Sequence, residues 1–156
     1  MALRDARTWL EILSKDECWR LVRQCTVGRL AVIGDDGSPE IYPLNIAVDD
    51  ESVVFRTDPG SKLAAIHKLP SVALEVDELD FEAQDGWSVL VVGTAKELGG
   101  RDLVQAQRLP LAPWSIGAKA RWFRLTPLRV SGRRISGRAH RESAGQGPSG
   151  RTPRPG

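Results

Sequence analysis

The stretch from Val53 to Lys62 (Val-Val-Phe-Arg-Thr-Asp-Pro-Gly-Ser-Lys) constrains this chain more than any other. Val53, Val54 and Phe55 follow an Asp-Asp-Glu turn at 49–51 and predict a strand. Asp58-Pro59-Gly60 breaks it, since proline fixes one dihedral and glycine permits a left-handed one. Ser61-Lys62, with Leu63 to Ile66 following, restarts the chain as a helix. Such a junction leaves free backbone amides pointing out of the helix start, where the helix dipole favours an anion. Arg56, Thr57, Ser61 and Lys62 add a guanidinium fork, two hydroxyls and a point charge at that spot. The segment is not a P-loop, because Arg56 stands where a second glycine is needed. Taken alone, these residues also fit a plain strand–turn–helix connection, with Ser61 as an ordinary N-cap and Lys62 in solvent.

The chain is 156 residues long, which suits one domain able to bury a core without staples. Basic and acidic residues nearly balance, 22 against 20. The imbalance is local: beyond Gly137 stand Arg138, Arg141, Arg151 and Arg154 against Glu142 alone, a net +3. That leaves the first 136 residues at −1, so the folded part is not a basic nucleic-acid reader. Cys18 and Cys25 sit on or near one helix, make no C-x-x-C pair, and read as small apolar residues rather than a bridge or a zinc site. No segment approaches the ~20 apolar residues of a membrane span, and the start carries no apolar signal region. A reduced, cytoplasmic setting is the default expectation.

Along the chain, Ser14-Lys15-Asp16-Glu17 has capping-box spacing, and Cys18, Leu21, Val22 and Cys25 recur at helical intervals. Strands are expected at 29–33, 39–48 and 53–57, the first two joined by a hairpin at 34–38. The short helix at 62–68 stops at Leu69-Pro70. A strand over 71–76, an acidic loop over 77–86 and a long apolar strand over 87–98 follow, with Gly93 as a bulge or bend. A second short helix over 101–109, an irregular link at 110–114 and a last strand over 120–130 complete the pattern. Six strands with brief helices between them predict a mainly β (α+β) fold, an antiparallel split barrel over 1–136. The Gly-, Pro- and Arg-rich segment 137–156 is expected to be a flexible tail.

With these pieces in order, the sequence resembles the pyridoxamine 5'-phosphate oxidase-like family of FMN-binding split barrels, over about residues 14–136. Four places carry the likeness: Gly28 to Ala31 with Ile41 to Asn45; Val54 to Thr57 through Gly60-Ser61-Lys62; Gly86 to Val91 with Gly93 to Ala95; and Trp122 to Pro127 with Gly132 to Ile135. The resemblance implies a homodimer with flavins at the subunit interface. Thr57, Ser61 and Lys62 would hold the FMN phosphate, with Arg56 beside it. The backbone of Tyr42, Pro43, Leu44, Asn45 and Phe55 would line the flavin ring, and Trp87 and Trp114 would approach from the partner chain. Relatives of this kind use FMN, a deazaflavin or haem. The chain lacks the closing arginine- and histidine-bearing segment of true pyridoxamine-phosphate oxidases: its last strand offers Arg124, Arg129, Arg133 and Arg134, and His140 lies in the tail.

The expected function is therefore transfer of hydride or electrons between a reduced nicotinamide and a small organic acceptor or oxygen, by an FMN-binding protein. A deazaflavin-dependent reductase and a non-catalytic flavin- or haem-binding module are the alternatives. No catalytic side chain, metal, nucleic acid or membrane is assigned. Asn45 can serve a flavin or a strand backbone, and Tyr42 can present its hydroxyl to a site or to solvent. His67, five positions past Lys62, is expected at the surface and away from the phosphate. Asp77, Glu78, Asp80 and Glu82 have no companion histidine and read as a solvated loop.

Overall fold

Alternation of small apolar and polar residues sets the architecture. In the strand Val27–Ile33, Gly28, Leu30 and Val32 are buried while Val27, Arg29 and Ile33 face out. We describe the protein from a computed structural model, which places residues 3–4, 10–111 and 121–137. Two two-residue strands, β1 (Leu3–Arg4) and β2 (Glu11–Ile12), precede helix α1 (Lys15–Val22). The chain continues as β3 (Val27–Ile33), β4 (Pro39–Asp49), β5 (Ser52–Thr57), α2 (Ser61–Lys68), β6 (Ser71–Asp80), β7 (Asp85–Glu97), α3 (Gly100–Ala106) and β8 (Arg121–Ile135).

Strands β3 to β8 pair antiparallel in the order β8-β5-β4-β3-β6-β7, and β7 pairs back with β8. This closes a six-stranded antiparallel barrel with three short helices, as the sequence predicts. The inward row Leu30, Leu44, Ile46, Val53, Phe55, Leu74, Val91, Phe123 and Leu125 forms the core. Phe55 and Phe123 stack inside it with centroids 5.5 Å apart. Helix α1 contributes Cys18, Trp19, Leu21 and Val22 to this core, and α2 contributes Ala65 and Ile66. The box at Ser14 and Glu17 forms in both directions. A second cluster lies outside the barrel wall, where Ala106 and Leu111 pack on Ala47 and Val54.

Several element boundaries differ from the sequence reading. The acidic segment is mostly strand: β6 runs to Asp80 and β7 starts at Asp85. Only Phe81 to Gln84 turn, with Gln84 at positive φ. The last strand runs on to Ile135, and α3 ends three residues early, at Ala106. Leu3–Arg4 and Glu11–Ile12, unforeseen, extend the edge of β8. Gly93 sits at a register shift between β7 and β8, as expected of a bulge. Both cysteines are free, and no helix among the described residues is long and apolar enough to cross a membrane. Trp9, Trp114 and nearly all of the 137–156 tail lie outside the described residues.

Candidate functional site

The site is assembled where β5 hands over to α2, against β4. Gly60, not Ser61, is the N-cap of α2, and no side chain caps the helix. The first helical bond runs from the Ala64 amide to the Gly60 carbonyl. The amides of Ser61, Lys62 and Leu63 therefore have no partner within the helix and face outward. Gly60 is extended rather than left-handed, and a Cβ built there meets nothing within 4 Å. The space above the helix start is open.

Lys62 projects over the Tyr42 ring, with Nζ 4.6 Å from its centroid. No carboxylate among the described residues forms an ion pair with it. Burial pushes its pKa below the ordinary lysine value, and the charge of Asp58 opposes that shift. The Tyr42 hydroxyl donates a short hydrogen bond to the Glu40 carboxylate, and the Ser61 side chain reaches the same hydroxyl. The Glu40 bond raises the pKa of the phenol and the Ser61 bond lowers it, the former prevailing. Glu40 escaped the sequence reading. Its signal was there: Glu40 and Tyr42 stand two apart on one strand and so share a face.

The other predicted residues are placed as follows. Leu44 and Phe55 are buried in the core, so only their backbone can meet a ligand. Pro43 is exposed, and the Asn45 amide donates to the Thr26 carbonyl at 3.4 Å. Thr57 is 6% exposed and its hydroxyl donates to the Asp58 carbonyl at 3.4 Å. Arg56 does not converge with Lys62 as expected. Strand alternation turns it away from Phe55 and Thr57, toward the outer wall, where its guanidinium lies 5.2 Å from the Trp122 ring centre. Its Nε is buried without a hydrogen-bond partner. Trp87 pairs in register with Glu78 and Arg134 near the start of β7. It lines a separate open cavity with Glu78, Asp80 and Arg134. His67 faces away from the site and pairs with Glu97 at 2.9 Å.

An uncapped helix start, an unpaired and half-buried ammonium and an aromatic face lie together here, a set of groups able to attract an anion. The chain as a whole has known relatives. An uncharacterized protein of Mycobacterium tuberculosis, Rv0080, is 33% identical over 85% of this chain and 89% of its own length. The structure of an FAD-binding protein from Mycobacterium smegmatis is 36% identical and superposes with a TM-score of 0.67, covering 80% of this chain and 97% of that one. An FAD-binding protein from Mesorhizobium loti is 29% identical, with a TM-score of 0.70 over 81% of this chain and 99% of its own. The pattern of the family described as Pyridoxamine 5'-phosphate oxidase matches residues 14–134. The chain belongs to the pyridoxamine 5'-phosphate oxidase-like family.

Proposed function

We propose that this protein binds a flavin and works as a homodimeric flavin-dependent oxidoreductase, passing electrons from a reduced nicotinamide to a small organic acceptor or oxygen. The observation that carries this reading is the open α2 start beside the unpaired Lys62. The amides of Ser61 and Lys62 and the Lys62 ammonium would hold the flavin phosphate. The backbone of Tyr42 to Asn45 and of Phe55 would line the ring. A bound flavin supplies the redox chemistry, and the chain supplies position and electrostatics. Two structural relatives that are FAD-binding proteins support a flavin over haem, and the choice among FMN, FAD and a deazaflavin falls to titration.

Two further features support the reading. Trp87 lines a cavity that does not include Lys62, and in the homodimer that the resemblance implies it would approach the cofactor from the second copy. In the closing strand Arg124 is engaged by Asp49 and Ser52, and Arg134 by Glu11 and Glu17. These two arginines are engaged within the chain and are poor candidates for holding a substrate phosphate. The test is an absorption spectrum of the purified protein, scanned for flavin, deazaflavin and haem bands, followed by calorimetric titration with FMN and FAD. Flavin bands or saturable heat support the proposal; a colourless protein with no heat of binding removes it. Oxidation of reduced nicotinamide faster than by free flavin separates an enzyme from a carrier.

A further inference from the structure

The candidate anion site has an acidic neighbour, and the structure shows what restrains it. Glu40 meets the Tyr42 hydroxyl, and Lys62 lies over the face of the same ring. One Glu40 oxygen accepts from the Tyr42 hydroxyl. The other rests on Gly34 at the mouth of the β3–β4 hairpin, where a Cβ would come within 2.6 Å of it. The acid whose charge acts on Lys62 is Asp58, which is exposed and forms no ion pair with it. A carboxylate released beside a half-buried ammonium would pair with it, and a paired ammonium is a weaker phosphate ligand.

We propose that Tyr42 is a positioning residue: its hydroxyl ties the Glu40 carboxylate back against Gly34, which leaves Lys62 unpaired and open to a phosphate ester. The ring and the hydroxyl have separate tasks. The face carries the ammonium through a cation–π contact. The hydroxyl holds the competing anion away. The inference rests on the flavin reading for its ligand but not for its geometry.

The test uses four proteins: wild type, Tyr42→Phe, Glu40→Gln and the double variant. Each is titrated with FMN by calorimetry, and the Lys62 ammonium is titrated by NMR in the ligand-free protein. Phenylalanine preserves the ring, so the cation–π contact and the fold are kept. Tyr42→Phe is expected to weaken FMN about tenfold, as for a charged hydrogen bond partly lost, and to raise the pKa of Lys62. Adding Glu40→Gln should return both quantities to their wild-type values. The proposal is overturned if Tyr42→Phe weakens FMN equally with Glu or Gln at position 40, since the hydroxyl would then touch the ligand itself. It is also overturned if Tyr42→Phe leaves the Lys62 titration unmoved. Failure of the wild type to bind FMN would count against the flavin reading, and the Lys62 titration would still decide the role of Tyr42.

Discussion

At Lys62, burial and the proposed phosphate would pull one proton in opposite directions. Burial favours the neutral amine and lowers its pKa. A bound phosphate favours the ammonium and restores it. Two measurable consequences follow. Lys62→Ala should weaken FMN by about 1.5–3 kcal/mol, the range for a hydrogen bond to a charged group, or roughly ten- to 150-fold. An unchanged dissociation constant in calorimetry would place the phosphate elsewhere. The pH dependence has a definite sign. Between the lowered folded value and the ordinary lysine value, the unfolded chain binds more protons, so the free protein gains stability as pH rises through that window. FMN affinity should fall over the same window as the ammonium is lost. Lys62→Arg, charged throughout, should keep its affinity there. A wild-type affinity that is flat with pH until above the ordinary lysine range would contradict this.

Among the elements, the β7–β8 pair carries the longest ladder and the tightest point. A Cβ on Gly93 would stand 2.0 Å from the Thr126 carbonyl oxygen and 2.9 Å from the Pro127 Cα. Both obstacles are backbone, so the ladder itself must part. Gly93→Ala should cost at least about 3 kcal/mol, the upper end of overpacking, and lower the melting temperature by roughly 6–12 °C for a chain of this size. Calorimetric melting checks it, and a loss below about 1 kcal/mol would mean that the bulge relaxes freely. This glycine was legible because a bulge has a local signature, an isolated glycine in an apolar strand. The capping box at Ser14 and the barrel alternation were legible for the same reason. The acidic hairpin was not, because Asp77, Glu78 and Asp80 suggest a loop by composition. Here they lie on strand arms in a ten-pair ladder, with the Asp77 and Glu75 carboxylates bridged by Arg29. The site was half legible. Its helix start is encoded in consecutive residues. The Glu40–Tyr42–Lys62 arrangement depends on tertiary packing that brings Lys62 of α2 over Tyr42 of β4, and the outward turn of Arg56 depends on which face of β5 meets the core.

On the scale of the whole molecule, the barrel wall is covered unevenly. Over β4, β5 and the start of β8, α3 and Leu111 seal Ala47 and Val54. Over the start of β4 and over β3, β6 and β7 the wall presents a cross-strand row of Ile41, Ala31, Ala73 and Val92. None of the four belongs to either buried cluster of the described residues, and Ile41 is 66% exposed. A row of small and branched apolar groups across four strands, flanked by the Arg29–Glu75–Asp77 network, suits burial against a flat partner. A second copy is the partner that the proposed function calls for. Ala31→Glu tests this, because its side chain points outward and a glutamate there remains hydrated in a single folded chain. Across a dimer interface the same carboxylate would be buried without a partner, at a cost of several kcal/mol. Sedimentation should show two chains for the wild type and one for the variant, with FMN affinity reduced and the thermal transition of the barrel nearly intact. A folded variant that still sediments as two chains would move the interface to another face. A wild type that sediments as one chain would count against a second copy's Trp87 meeting the flavin and leave Tyr42 as the aromatic face that the described residues bring to Lys62.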